Sequence, residues 1–328
     1  EVVIQNPEAC ARYSGILIDG VKVGPSPTWL KNKLQAIGAR SINNIVDITN
    51  FILHETGQPL HAFDAAKIQG KKLVVKKCAP NSLFTTLDEK ERKLTAADLM
   101  ICDTEKPMCI AGVFGGLHSG VSATTNSIFL ESAWFENVHI RKTSVHHGLR
   151  TDAATRFEKG VDIANTVKVL EKAAAMIQEI AGGKCSKIVD VYPNPAEKVK
   201  VTMTFAYLKK LSGKQYASDK AAAILTSLGF EILHQDAASI QVAVPYNKPD
   251  ISIAADLVEE ILRIDGLDNI EIPTAITISP SVDLLETKEQ FKNKIANYLV
   301  GRGYTEILTN SITNSKYYSA EQLETTVK

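Results

Sequence analysis

Up to about residue 195 the apolar positions switch repeatedly between strand-like alternation and helix-like spacing. ARYSGILIDGVKVG (residues 11–24) alternates and ends in a turn, which predicts a strand. WLKNKLQAIG (29–38) reads as a short helix closed by Gly38. Within SINNIVDITNFILHETGQPLHAFDAAKI (41–68), the run IVDIT reads as a buried strand feeding a helix. From Leu73 to Leu130 the pattern is one of short strands and turns. It includes a hairpin in FTTLDEKERKL, the segment MCIAGVFGG, and an apolar strand, SIFLESAWF. Leu170, Ala173, Ala174, Ile177 and Ile180 then repeat at helical spacing before a Gly182–Gly183 stop.

The prolines of YPNPAEKVKV mark a boundary, and a second pattern follows over residues 198–274. TFAYLKKLSG, AAAILTSLG and ISIAADLVEEILRIDG predict three helices, and GFEILHQDAASIQVAVP predicts a small hairpin. Three helices with a hairpin wing resemble a winged-helix module, a scaffold that does not itself imply DNA binding. After the linker IEIPTAITISPS, Thr287 caps a predicted helix with Phe291, Ile295 and Leu299 on its apolar side, and GRGYTEILTNSITN returns to strand-like alternation. The roughly forty residues after this linker are too few for an independent core, so 275–328 read as a linker and the start of a truncated domain. The expected organisation is a mixed α/β domain over 1–195, a winged-helix-like domain over 198–274, and the start of a truncated domain.

Composition narrows the function. The 328 residues carry 37 basic and 37 acidic side chains, so the chain lacks the basic excess of a dedicated nucleic-acid binder. If RNA is bound here, the positive field must be local, weak or supplied by a partner. Five scattered cysteines without a CxxC pair signal neither a zinc knuckle nor a redox dithiol, and they fit a reducing cytoplasm. No apolar run approaches the ~18 residues of a membrane span. Glu1 in place of an initiator methionine, and an ending just after a new element begins, point to an internal segment of a longer chain.

Five clusters of residues could carry chemistry. Thr49 and Asn50 fall at the end of the predicted strand, where α/β ligand sites form, and His61 follows in QPLHAFD. The plainer alternative is a capping Asn and a satisfied His. AGVFGG is neither a dinucleotide fingerprint nor a phosphate loop, yet its glycines permit either a tight turn or close backbone approach to a ligand. Glu131 interrupts the apolar FLESAW and faces either a pocket or solvent. The basic stretch HIRKTSVHHGLRTDAATRFEKGVD offers a rim for phosphates, or internal pairing with Asp152, Glu158 and Asp162. Asp256, Glu259 and Glu260 share a helix face, with Asp250 upstream: a set suited to Mg²⁺ or a solvated acidic face.

Taken together, NNIVDITNFILHETGQPLHAFD, IAGVFGG, FLESAWF and HHGLRTDAATRFEKGVD resemble the editing domain of bacterial phenylalanine–tRNA ligase β subunits. NKPDISIAADLVEEILRIDGLDNI is similar to the small B5-type domain that follows it, and GYTEILTNSI to the start of the synthetase-like domain. The resemblance implies an α₂β₂ enzyme that joins phenylalanine to tRNA(Phe) with ATP, with the synthetic site in the α subunit. ATP is therefore not expected to bind this segment. It also implies a pocket that hydrolyses tyrosine wrongly attached to tRNA(Phe). Asn50, His61 and Thr49 would position ester and water, Ala111, Gly112, Gly115 and Gly116 would form its wall, and Glu131 would recognise the tyrosine hydroxyl. Asp250, Asp256, Glu259 and Glu260 match the family's Mg²⁺ set near the contact with α. The competing expectation is an assembly and tRNA-positioning module without editing activity.

Overall fold

The computed structural model describes residues 1–275, 278 and 287–324. It divides into two compact units, Glu1–Glu271 and Ile272–Lys328. The first unit is a mixed α/β structure organised around one strand, Ser127–Phe135, which pairs antiparallel with Cys10–Asp19 on one side and Leu60–Asp64 on the other. Lys184–Cys185 and Val189–Val191 add to the far edge of Cys10–Asp19. A second sheet runs in the order Val2–Ile4, Leu73–Lys77, Leu99–Cys102, Pro107–Ile110, Phe114–Gly115, with only its first pair parallel. The expected hairpin forms between Leu83–Thr85 and Glu91–Lys93.

Alternation along the central strand decides what lies on each side of it. Ile128 and Leu130, with Ile16 and Ile18 of the neighbouring strand, pack on Val169, Leu170, Ala173, Ala174 and Ile177 of the helix Thr166–Ala181. Ala133, Phe135, Tyr13 and Phe63 belong to the other core, shared with the second sheet. Each fully buried Ile or Leu contributes about 1.5–3 kcal/mol, so both faces of this strand are held apolar wherever chemistry does not intervene. It intervenes at Glu131.

Two sequence expectations change. IVDIT is not a strand: it lies inside the helix Asn44–Thr56, which begins where the Asn43 side chain accepts from the Val46 amide and ends at left-handed Gly57. The β-branched run favoured a strand locally, but Ile45, Ile48 and Ile52 recur at helical spacing and are wholly buried in one core. The fully buried Asp47 carboxylate binds the Ser26 and Ser41 hydroxyls and the Ile42 amide, fixing the helix start. Thr49 and Asn50 thus project from mid-helix rather than from a strand end.

The second change concerns GRGYTEILTNSITN, which forms no strand among the described residues of the second unit. A strand requires partners for its backbone groups, and the described residues of this unit supply none. The capping expectation there holds: Thr287 and Gln290 form a reciprocal capping box at the start of the helix Lys288–Gly301. Phe291, Ile295 and Leu299 are exposed on it.

The remaining part of the first unit packs the helices Phe205–Ser212, Ser218–Ser227 and Ala254–Asp265 against a three-stranded antiparallel sheet. The sheet runs in the order Lys200–Thr204, Ser239–Ala243, Glu231–Gln235, around a core that includes Leu208, Leu225, Val242 and Leu257.

Candidate functional site

The pairing register sets Glu131 directly opposite His61, so both side chains leave the sheet on the same face. On the other side Glu131 is opposite Gly15, and the ring of Phe129 lies over that glycine: a Cβ there would stand 2.2 Å from Phe129 Cζ. The two side chains open into a cavity of about 290 Å³. Thr49, Asn50 and Leu53 wall it from the helix Asn44–Thr56, Gly112 to Gly115 from the turn before the last short strand, and Thr151 to Ala153 with Phe157 from the start of the helix Asp152–Lys159.

Of the eight residues expected at the editing pocket, six line this cavity: Thr49, Asn50, His61, Gly112, Gly115 and Glu131. Ala111 lies buried behind the turn, and Gly116 borders a different cavity with Phe84 and Met108. Gly116 is confined from that side, since a Cβ would meet the Met108 carbonyl oxygen at 2.5 Å.

Glu131 is 5% exposed. Burial raises its carboxyl pKa from 4.5 to about 8, against the opposing effect of the Tyr13 hydroxyl, which donates to Oε2 at 3.1 Å. The acid is therefore largely protonated at neutral pH. Its other oxygen has no protein partner among the described residues and is left for a ligand hydroxyl. Sequence reading missed Tyr13. Its place opposite Ala133 on the neighbouring strand was not readable without the register.

His61 has the opposite displacement. Burial lowers its pKa from 6.5 to about 4, so the imidazole is neutral, and its Nε2 is buried without a hydrogen-bond partner. The ring stands edge-on to Phe63, with centroids 4.5 Å apart. A Cβ on Gly115 would meet His61 Cε1 at 3.1 Å and Leu87 Cδ1 at 2.8 Å, so close approach to the imidazole requires glycine there.

The rest of the wall offers fewer free groups than its composition suggests. The Thr49 hydroxyl donates to the Val46 carbonyl within its own helix. The Asn50 side chain has no protein partner among the described residues. Val113 N and Gly116 N bond the carbonyls of Ile110 and Met108, whereas Gly112 N has no partner among the described residues and is open to a developing oxyanion. Gly112 holds a left-handed φ of 67°, and a Cβ would lie 2.8 Å from Phe135 and 2.9 Å from Ile140.

The acidic set is arranged differently from the expectation. Asp256 Oδ2 accepts the amides of Ser252 and Ile253 at a helix start, which holds its carboxyl below the usual range. Glu260 is bound by Lys248 at 2.6 Å and by Arg263 at 3.0 Å. Among the described residues no three His, Cys, Asp or Glu side chains gather as a metal site. As it stands in this chain, the set of Asp250, Asp256, Glu259 and Glu260 does not fit a divalent cation, because protein donors already satisfy two of its four carboxylates. No helix among the described residues is long and apolar enough to cross a membrane. In the basic stretch, His147 Nε2 bonds buried Asp98 at 2.9 Å, and Arg150 and Glu158 approach to 3.8 Å, so part of it is internal pairing.

Comparison with known proteins places the chain in a family. Residues 9–182 match the family described as the B3/4 domain, and residues 201–267 match the tRNA synthetase B5 domain. The chain is 46% identical over 320 residues to the phenylalanine–tRNA ligase beta subunit of Bacteroides fragilis strain YCH46, covering 97% of this chain and 39% of that protein. The corresponding subunit of Porphyromonas gingivalis is 45% identical over 321 residues, with the same coverage. That of Carboxydothermus hydrogenoformans is 42% identical over 319 residues, covering 97% of this chain and 40% of that protein. The chain thus spans about two fifths of the length of the curated relatives it matches. With the first match extending over just more than half of its residues, the chain belongs to the B3/4 domain family, joined here to a tRNA synthetase B5 domain.

Proposed function

We propose that the cavity is a proofreading site, which hydrolyses the ester of tyrosine wrongly attached to tRNA(Phe), within a phenylalanine–tRNA ligase β subunit. The observation that carries this reading is the cross-strand pairing of buried Glu131 with neutral His61 in one cavity. Phenylalanine and tyrosine differ by one hydroxyl, which an apolar synthetic pocket excludes only weakly. A site holding a buried carboxyl selects for that hydroxyl, because phenylalanine leaves the carboxyl oxygen unpaired at about 1–3 kcal/mol.

Each residue then has a task. Tyr13 fixes one oxygen of Glu131, and the substrate phenol takes the other. Gly112 N stabilises the oxyanion formed when water attacks the ester carbonyl. The Asn50 amide orients the terminal ribose. His61, neutral at working pH, accepts a hydrogen bond from the attacking water. The neighbouring ribose hydroxyl relays the water's proton to the ribose oxygen that leaves as the acyl C–O bond breaks, so the products are free tyrosine and a tRNA with both terminal hydroxyls restored. Thr49 shapes the wall.

In the same reading the three-helix unit over 198–274 is a winged-helix-like module, and residues 275–328 begin a synthetase-like domain. The full subunit pairs with α as α₂β₂ in the cytoplasm and supports ATP-dependent phenylalanylation. Mg²⁺ and ATP belong to that whole enzyme, and no step here passes through either.

The test is release of tyrosine from preformed Tyr-tRNA(Phe), with Phe-tRNA(Phe) as the comparison. Glu131→Ala is expected to reduce the preference for the tyrosyl ester about tenfold to a hundredfold. His61→Ala is expected to slow hydrolysis of both esters. Unchanged rates and preference in both variants would remove the cavity from the reaction.

A further inference from the structure

A second cavity, of about 470 Å³, lies beside the first, and the same two helices wall both. The helix Asn44–Thr56 faces the proofreading cavity with Thr49, Asn50 and Leu53, and its end at Thr56 and Gly57 borders the second. From Asn50 to Thr56 the helix rises about 9 Å. The helix Asp152–Lys159 likewise gives Asp152, Ala153 and Phe157 to the first cavity and Arg156 and Lys159 to the second.

The second cavity carries the cationic groups of an anion site at its edge. Arg156 is half-buried, yet its guanidinium has no hydrogen-bond or ion-pair partner among the described residues, and neither has the ammonium of Lys159 one turn on. A half-buried guanidinium presents five donors in a fixed fork, a shape matched by phosphate. Gln58, 2% exposed, lines the same cavity. Its Nε2 donates to the carbonyls of Pro59 and Ala133, which assigns Oε1 as the acceptor, and that oxygen is buried without a donor, so it suits a ribose hydroxyl and not a phosphate oxygen. The amides of Asn165 and Asn247 complete the rim. One carboxylate, Asp162, also lines it, with Oδ1 accepting the Ala164 amide.

We infer that this cavity is a phosphodiester subsite for single-stranded RNA, in which Arg156 and Lys159 grip the backbone of the nucleotides preceding the aminoacyl ester. The assignment rests on the proofreading reading for the direction of the strand. It does not rest on that reading for the anion chemistry. It also supplies a local positive field in a chain of zero net charge.

The experiment is a fluorescence-anisotropy titration of the 328-residue chain with a 5′-labelled single-stranded RNA ending in CCA, between about 50 and 200 mM salt. Arg156→Gln/Lys159→Gln is expected to weaken binding at least about tenfold at the low-salt end, and to flatten the slope of log K against log salt by about 1.4, two phosphates at about 0.7 each. Arg156→Lys, which keeps the charge, should retain the slope. Binding and slope unchanged in the double variant would overturn the subsite. Glu131→Ala separates the two readings. If its tyrosyl preference is unchanged while the charge variants lose RNA, the proofreading assignment falls and the subsite stands.

Discussion

Replacing Glu131 by Gln tests the electrostatic basis of the site without reference to any substrate. The amide keeps the shape of the side chain and an oxygen for the Tyr13 hydroxyl, but it cannot ionise. In the native chain the carboxyl pKa is raised from 4.5 to about 8 by burial. Below pH 4.5 the folded and unfolded chains both hold this proton, and stability is at its fullest. As the pH rises to about 8, the unfolded chain releases the proton and the folded chain retains it, so stability falls. Above about 8 both are ionised and the loss is complete.

At about 1.4 kcal/mol per pH unit, the rise amounts to about 5 kcal/mol, an order-of-magnitude ceiling on what Glu131→Gln recovers at alkaline pH. His61, whose pKa is lowered to about 4, acts with the opposite sign: its contribution is lost as the pH falls from 6.5 towards about 4. That term is present in both proteins and cancels in their difference. Urea denaturation of the native chain and the variant across this pH range gives the difference directly. It should be small near pH 4.5, climb towards pH 8 and then level off. A difference that stays flat with pH would refute a desolvated carboxyl and with it the physical basis for selecting a phenol.

Two further outcomes follow from the packing. Gly112→Ala places a Cβ against Phe135, Ile140 and Phe157 at a left-handed φ, and should cost about 1–3 kcal/mol in urea denaturation, with misplacement of the adjacent amide read as slower ester hydrolysis. Asp98→Ala removes a buried carboxylate bound by Thr143 Oγ1 at 2.7 Å, the Thr95 amide at 2.7 Å and His147 at 2.9 Å, and should cost about 3–5 kcal/mol at neutral pH. Burial pushes the Asp98 pKa up, but those donors outweigh it and leave it below 3.8. Its share of stability is therefore present above 3.8 and disappears as the pH falls further, which an acid-unfolding profile of the two proteins would show.

The sequence by itself determined the parts of this protein in which the signal is local. The strand Ser127–Phe135, the helix Thr166–Ala181 with its buried stripe, and the hairpin at Leu83–Lys93 are written in alternation, helical spacing and turn residues. The misfit of Glu131 within an apolar strand was also legible, because a charged group at such a position is costly unless something offsets it. Local signal failed at IVDIT, where β-branched residues favour a strand but the longer period, the Asn43 cap and the burial of Asp47 select a helix. It failed again at GYTEILTNSI, where alternation without a pairing partner does not make a strand.

Only the tertiary structure decided which side chains meet. Residues 61 and 131 are seventy positions apart, and their pairing is set by register, since a one-residue slip would turn Glu131 to the opposite face. Tyr13 joins them through the same register on the other edge of the strand. The tertiary structure also separated carboxylates that share a helix into a cap at Asp256 and an ion-paired Glu260, and left Arg156 without a partner among the described residues beside the cavity. Spacing along a chain records which residues can share a face. Protonation and binding depend on burial and on the nearest opposing groups, and those are fixed only when distant segments pack.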